Sequence, residues 1–147
     1  MAATNLVTER GILNGVTDVN GNVVFNIASF TDQVHRIRAE VLGGEASASH
    51  LLDGLALTCE GIFQNKNGTL TGLGAQSGSV NPLNSNSTGE ETAWPQGAGT
   101  TYGTNTAIWT ISSTNIVLTV HVTSSVGGNL QGVTVYVKYE MSHWGIT

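Results

Sequence analysis

The stretch "TAIWTISSTNIVLTVHVTSS", residues 106–125, alternates apolar and polar side chains through two runs separated by a Ser-Ser-Thr-Asn break. Ala107, Trp109 and Ile111 share one side of the first run. Ile116, Leu118, Val120 and Val122 share one side of the second, against Val117, Thr119 and His121. An extended chain points successive side chains to opposite faces, so a period of two marks a strand with one buried face. The break at residues 112–115 turns the chain back on itself. "GVTVYVKYEM", 132–141, sets Val133, Val135, Val137, Tyr139 and Met141 against Thr134, Tyr136, Lys138 and Glu140. It predicts the last of three consecutive antiparallel strands.

The same period runs upstream. "VHRIRAEVLGG", 34–44, opposes His35, Ile37, Ala39 and Val41 to Val34, Arg36, Arg38 and Glu40. "HLLDGLALTCEGIF", 50–63, places Leu55, Leu57, Cys59 and Phe63 on one face, with Thr58 and Glu60 opposite. "NKNG", 65–68, predicts a hairpin turn into "TLTGLG", because Asn-Gly tolerates the positive φ angles of a type I′ turn. "TDVNGNVVFNI", 17–27, reads as a further hairpin turn opening a strand with Val23, Phe25 and Ile27 on one face. Strands separated by Gly, Asn and Ser turns, with almost no helical periodicity, predict an all-β fold. Two sheets burying their apolar faces against each other give an antiparallel β-sandwich or jelly roll, with a flattened barrel as the alternative.

At 147 residues one domain is expected. "NLVTERGILNG", within residues 1–16, is too short and glycine-broken for a helix and reads as an N-terminal arm or edge segment, so the sandwich is assigned to 17–147. Residues 75–106 hold both prolines and little alternation, which predicts a long irregular loop that is functional or ordered against a partner.

Charged residues are only 10% of the chain, against roughly 25% in an ordinary globular protein. Hydroxyl and amide side chains supply the polarity instead. With a net charge of −5 and only Arg10, Arg36, Arg38, Lys66 and Lys138 permanently positive, nucleic acid is not an expected partner. No signal peptide or apolar membrane-spanning run is read in the sequence, so neither secretion nor a membrane is expected. The lone Cys59 excludes an intrachain disulfide and falls in an apolar register, as a small buried hydrophobe.

"DVNGN", 18–22, offers alternating oxygen ligands, but Val23 and Ser29 stand where a calcium loop needs Gly and Glu. His35, His50, His121 and His143 never fall at helical ligand spacing; His35 and His121 read as strand residues and His143 as part of a C-terminal "SHWG" tail. There is no G-x-S-x-G elbow. Glu90-Glu91 lies in the glycine-rich loop without a surrounding motif, and "GLGAQSG" and "GAGTTYG" miss the dinucleotide spacing. The expectation is a non-enzymatic protein without cofactor or metal.

"TDVNGNVVFNI" resembles the strand openers, and "AIWTISSTNIVLTVHVTSSVGGNLQGVTVYVKYEM", 107–141, the strand endings, of small β-rich structural proteins and appendage domains of tailed bacteriophages. The resemblance implies a virion structural protein, assembled in the host cytoplasm and carried on the particle. Its partners would be the major capsid protein or other virion proteins, and it would form a homo-oligomer, most simply a trimer. A capsid decoration (cement) protein is the leading expectation, since an unpatterned arm and a long loop can clamp neighbouring shell subunits. A tail-fibre, adaptor or receptor-binding component is the first alternative. A carbohydrate-binding module using Trp94, Tyr102 and Trp144 is the second. The irregular segments 2–13 and 80–102 carry apolar anchors without alternation, so Leu6, Ile12, Leu83, Trp94 and Tyr102 are the expected interface residues.

Overall fold

A computed structural model of the chain describes residues 5–44, 54–73, 106–122, 129 and 131–146. The strands are β1 (Val7–Val16), β2 (Asn22–Ala28), β3 (Gln33–Gly44), β4 (Gly54–Lys66), β5 (Thr69–Gly72), β6 (Thr106–Ser112), β7 (Asn115–His121) and β8 (Thr134–Gly145). They form two antiparallel sheets, one of five strands in the order β1-β8-β3-β4-β5 and one of three in the order β2-β7-β6. The all-β sandwich expectation holds, in a jelly-roll-like form: β1 pairs with β8 and β2 with β7, as when a doubled chain is rolled up. Among the described strands the two sheets are separate and not closed on each other, which favours the sandwich over the flattened barrel.

The core lies between the sheets and is built from the alternating residues. Ile37, Ala39 and Val41 of β3, Val135 and Val137 of β8, and Leu57, Cys59 and Phe63 of β4 face Phe25 and Ile27 of β2, Leu118 and Val120 of β7, and Trp109 of β6. Phe63 meets Trp109 edge-on across the core, centroids 6.1 Å apart and planes at 71°. Gly61 makes that meeting possible, since a Cβ there would lie 2.7 Å from the Phe63 ring and 3.2 Å from Trp109.

The turns follow their residues. Lys66 pairs with Thr69, leaving Asn67 and Gly68 at φ 53° and 81°, the two positive angles of a type I′ turn. Ser112 pairs with Asn115 around a two-residue loop in which Ser113 has φ 55°.

Four expectations need correction. The Asp18 turn is not a hairpin, because β1 and β2 belong to different sheets. The Asp18 carboxylate accepts the N–H groups of Asn20 and Asn22 at 2.8 and 3.0 Å, holding the chain as it crosses. Nor are the last three strands neighbours: β6 and β7 form a hairpin, but β8 crosses to the other sheet and lies between β1 and β3. Residues 7–13 are not irregular, since β1 pairs residue by residue with β8 from Val7↔His143 to Val16↔Thr134. Its inward positions include Gly11 and Gly15, beside the Tyr139 ring and Val23, so close packing there needs no apolar side chain and no alternation is visible. Finally, "SHWG" is no tail, because all four residues lie in β8.

Candidate functional site

One end of the sandwich gathers His35, Asn65 and His143, while the fourth buried polar residue, Thr17, lies at the other end beside Val133. His35, on the inner face of β3, is in register with His143 of β8, and both are buried. Phe30, on the turn before β3, stacks on His143 with centroids 4.3 Å apart and planes at 16°. The Phe30 N–H donates to His35 Nε2 at 2.8 Å, which fixes that nitrogen as an acceptor and the ring as neutral. Nδ1 of His35 is buried without a hydrogen-bond partner of good geometry. Burial, and then the neighbouring His143, lower the pKa of His35 from 6.5 to about 4, while the Phe63 carbonyl and Glu9 act in the opposite sense.

His143 is the complement. Glu9 Oε2 of β1 stands 3.0 Å from its Nε2, and Gln33 Oε1 of β3 faces its Nδ1. Both partner atoms are acceptors, so whichever ring nitrogen carries a hydrogen has a partner for it. The cluster therefore ties the edge strand β1 to β3 and β8. It offers no nucleophile, and Cys59 is inert, its thiol pushed up to about 12 by burial and then by Glu60. Among the described residues no three ligating side chains gather as a metal centre.

The outer face of the five-stranded sheet is ordered differently. Pairing register aligns Arg10 of β1, Glu140 of β8, Arg38 of β3 and Glu60 of β4 in one row across four strands, alternating in sign. Beside it run a row Ile12, Lys138, Glu40, Thr58 and a row Thr8, Ser142, Arg36, Ile62. Arg10 Nε lies 2.9 Å from Glu140, Arg36 Nη2 3.3 Å and Arg38 Nε 3.6 Å from Glu60. These arginines are more than half exposed, so the pairs add little to stability. A shallow depression of about 620 Å³ opens along the first two rows.

Four of the chain's five permanent cations thus share one sheet face with three of its ten acids, leaving one cation and seven acids for the rest of the sequence. The outer face of the three-stranded sheet carries no charged side chain and exposes Val24, Asn26, Ile108 and Thr110.

Of the expected interface residues, Leu6 and Ile12 are 65% and 69% exposed, beside and on the edge strand. Leu83, Trp94 and Tyr102, with most of the 75–106 loop, lie outside the described residues, as do His50, Glu90 and Glu91. Trp144 is half-buried in β8. Neither the histidine pair nor the charged rows was read from the sequence. The available signal was that "HRIRAE" and "VKYEM" place charge at alternate positions, with Arg10 in "TERGI" and Glu60 in "TCEG" as single charges on the outer face, but strand order and register decide which charges meet.

No protein-family model matches the chain. No characterised protein matches it in sequence. Among solved structures it aligns with the crystal structure of Acinetobacter baumannii phage AM24 tailspike protein, at 12% identity and a TM-score of 0.42. That alignment covers 96% of this chain and 26% of the tailspike chain, so the chain spans about a quarter of that protein's length. A likeness of this size carries no functional argument.

Proposed function

We propose that this domain is a non-enzymatic structural part of a tailed-phage particle, serving in a tail appendage as a fibre, adaptor or receptor-binding module. The observation that supports it is the pairing of the two phage-like stretches: 22–28 lies against 115–121 along the whole of β2 and β7, while the end of the second stretch crosses into β8 of the other sheet. The capsid-decoration reading drew its preference from an unpatterned N-terminal arm together with a long loop. From Val7 onward that segment is a strand hydrogen-bonded to β8 and not a free clamp, and most of the 75–106 loop lies outside the described residues, so the tail reading is preferred.

Immunogold labelling of tailed particles with an antibody raised against the full chain tests the assignment. Label confined to the tail supports it, label spread over the shell returns the cement role, and particles free of label overturn both. The carbohydrate-binding alternative is tested on glycan arrays, where binding abolished by Trp144→Ala would favour it.

A further inference from the structure

We infer that the outer face of the five-stranded sheet docks a second copy of this chain, related by a two-fold axis that runs along the strands between β8 and β3. The inference stands apart from the virion reading and rests on register alone.

A half-turn about an axis parallel to the strands leaves position along each strand unchanged and reverses the order of strands. Each row of side chains is therefore laid, backwards, over itself. The row Arg10, Glu140, Arg38, Glu60 is four strands wide and alternates in sign, so reversal sets every cation over an acid: Arg10 over Glu60 of the second copy, Arg38 over its Glu140. The next row sets Lys138 over Glu40 of the second copy, and Glu40 over its Lys138. In the third, Arg36 meets the Ser142 hydroxyl. No like charges oppose each other in the three rows. An axis running across the strands would instead set each residue of a row over its own copy, Arg10 on Arg10.

Among the described residues the sheet has this width in the first two rows, because β5 pairs with residues 63–66 of β4 and Leu73 reaches only as far as Ile62, in the third row. Four strands about 4.8 Å apart and some ten residues long give roughly 650 Å² per copy. The total of about 1,300 Å² lies at the lower end of stable specific interfaces. The shallow depression along Arg10, Ile12, Lys138 and Glu40 gives the opposing side chains room to enter. Alternating pairs of this kind also set orientation, since a shift by one row or strand brings like charges together.

Sedimentation of the full chain tests the pair. The expected species is a dimer whose Kd rises at least about tenfold between about 0.05 and about 0.5 M salt. Lys138→Glu and Glu40→Lys each create two like-charge contacts per dimer and should weaken it about a hundredfold. Mixed in equal amounts they should form a heterodimer, because the new Glu faces the new Lys and the untouched Glu40 faces the untouched Lys138.

Far-UV circular dichroism reports whether each variant is folded, and Arg38→Glu with Glu140→Arg supplies a second pair if one is not. A monomer at about 100 µM in low salt overturns the inference. So does a trimer, the state the phage resemblance implied, or a pair of folded variants that stays monomeric when mixed.

Discussion

His35 and His143 face each other across the β3–β8 ladder with ring centroids 5.9 Å apart, and their hydrogen bonds assign them opposite roles. His35 accepts a proton-bearing group at Nε2, whereas His143 meets an acceptor at each nitrogen. The fold therefore needs His35 neutral.

Acid should act on this requirement. The folded pKa of His35, about 4, lies below its ordinary 6.5, so the unfolded chain binds the extra proton first as pH falls. That contribution to stability is complete above pH 6.5 and is lost on descending to about 4, for a total on the order of 2–3 kcal/mol. Urea midpoints measured between pH 7 and pH 4.5 should fall accordingly. His35→Gln, less stable at pH 7, should show a flatter slope over the same window, and an unchanged slope would remove His35 as its source.

Gly61→Ala should destabilise the domain by about 1–3 kcal/mol, because the added methyl enters the Phe63–Trp109 contact, where neither ring can retreat within a packed core. Chemical denaturation measures it. Gly132→Ala, just before β8, meets no atom within 4 Å but has φ 82°, so any loss there reports backbone strain instead.

Asp18→Ala should cost about 1–2 kcal/mol through loss of the two N–H bonds that organise the sheet-to-sheet crossing. Asp18→Asn keeps a side-chain oxygen and should recover most of the loss. Equal losses in the two variants would show that charge, not the acceptor, is what the turn uses.

Cys59 is fully buried and its thiol is held at about 12, so it should resist a thiol reagent at pH 8 in the folded protein and react at once in denaturant. Labelling rate against urea concentration would then report opening of β4 from the core. Rapid labelling of the native protein would place Cys59 in a mobile part of the sheet.

What the sequence could announce was set by local rules. The alternation of β3, β7 and β8 and the Asn67-Gly68 turn require only neighbouring residues, and each has the structure its pattern implies. β1 was obscure because Gly11 and Gly15 do by absence what a buried side chain does elsewhere. The crossing of β8 between β1 and β3, the meeting of His35 with a residue 108 positions away, and the alternating charges of Arg10, Glu140, Arg38 and Glu60 depend on register between distant strands. No local pattern encodes that register.

The place of β8 also governs when the fold can form. It is the last of the eight described strands to be synthesised, yet β1 has no other strand partner and β3 would otherwise be left with β4 alone. Val7 meets His143 across nearly the whole chain. On the ribosome β1 must wait, with its ladder N–H and C=O groups unpaired and Leu13 without its place against the core, until β8 emerges to lie beside it. Pairing over such separations is slow, since most of the chain's freedom is given up before the contact forms. Completion of the five-stranded sheet thus waits for the synthesis of β8, and the unpaired edge of β1 is where the growing chain would first be captured by another strand or driven to aggregate.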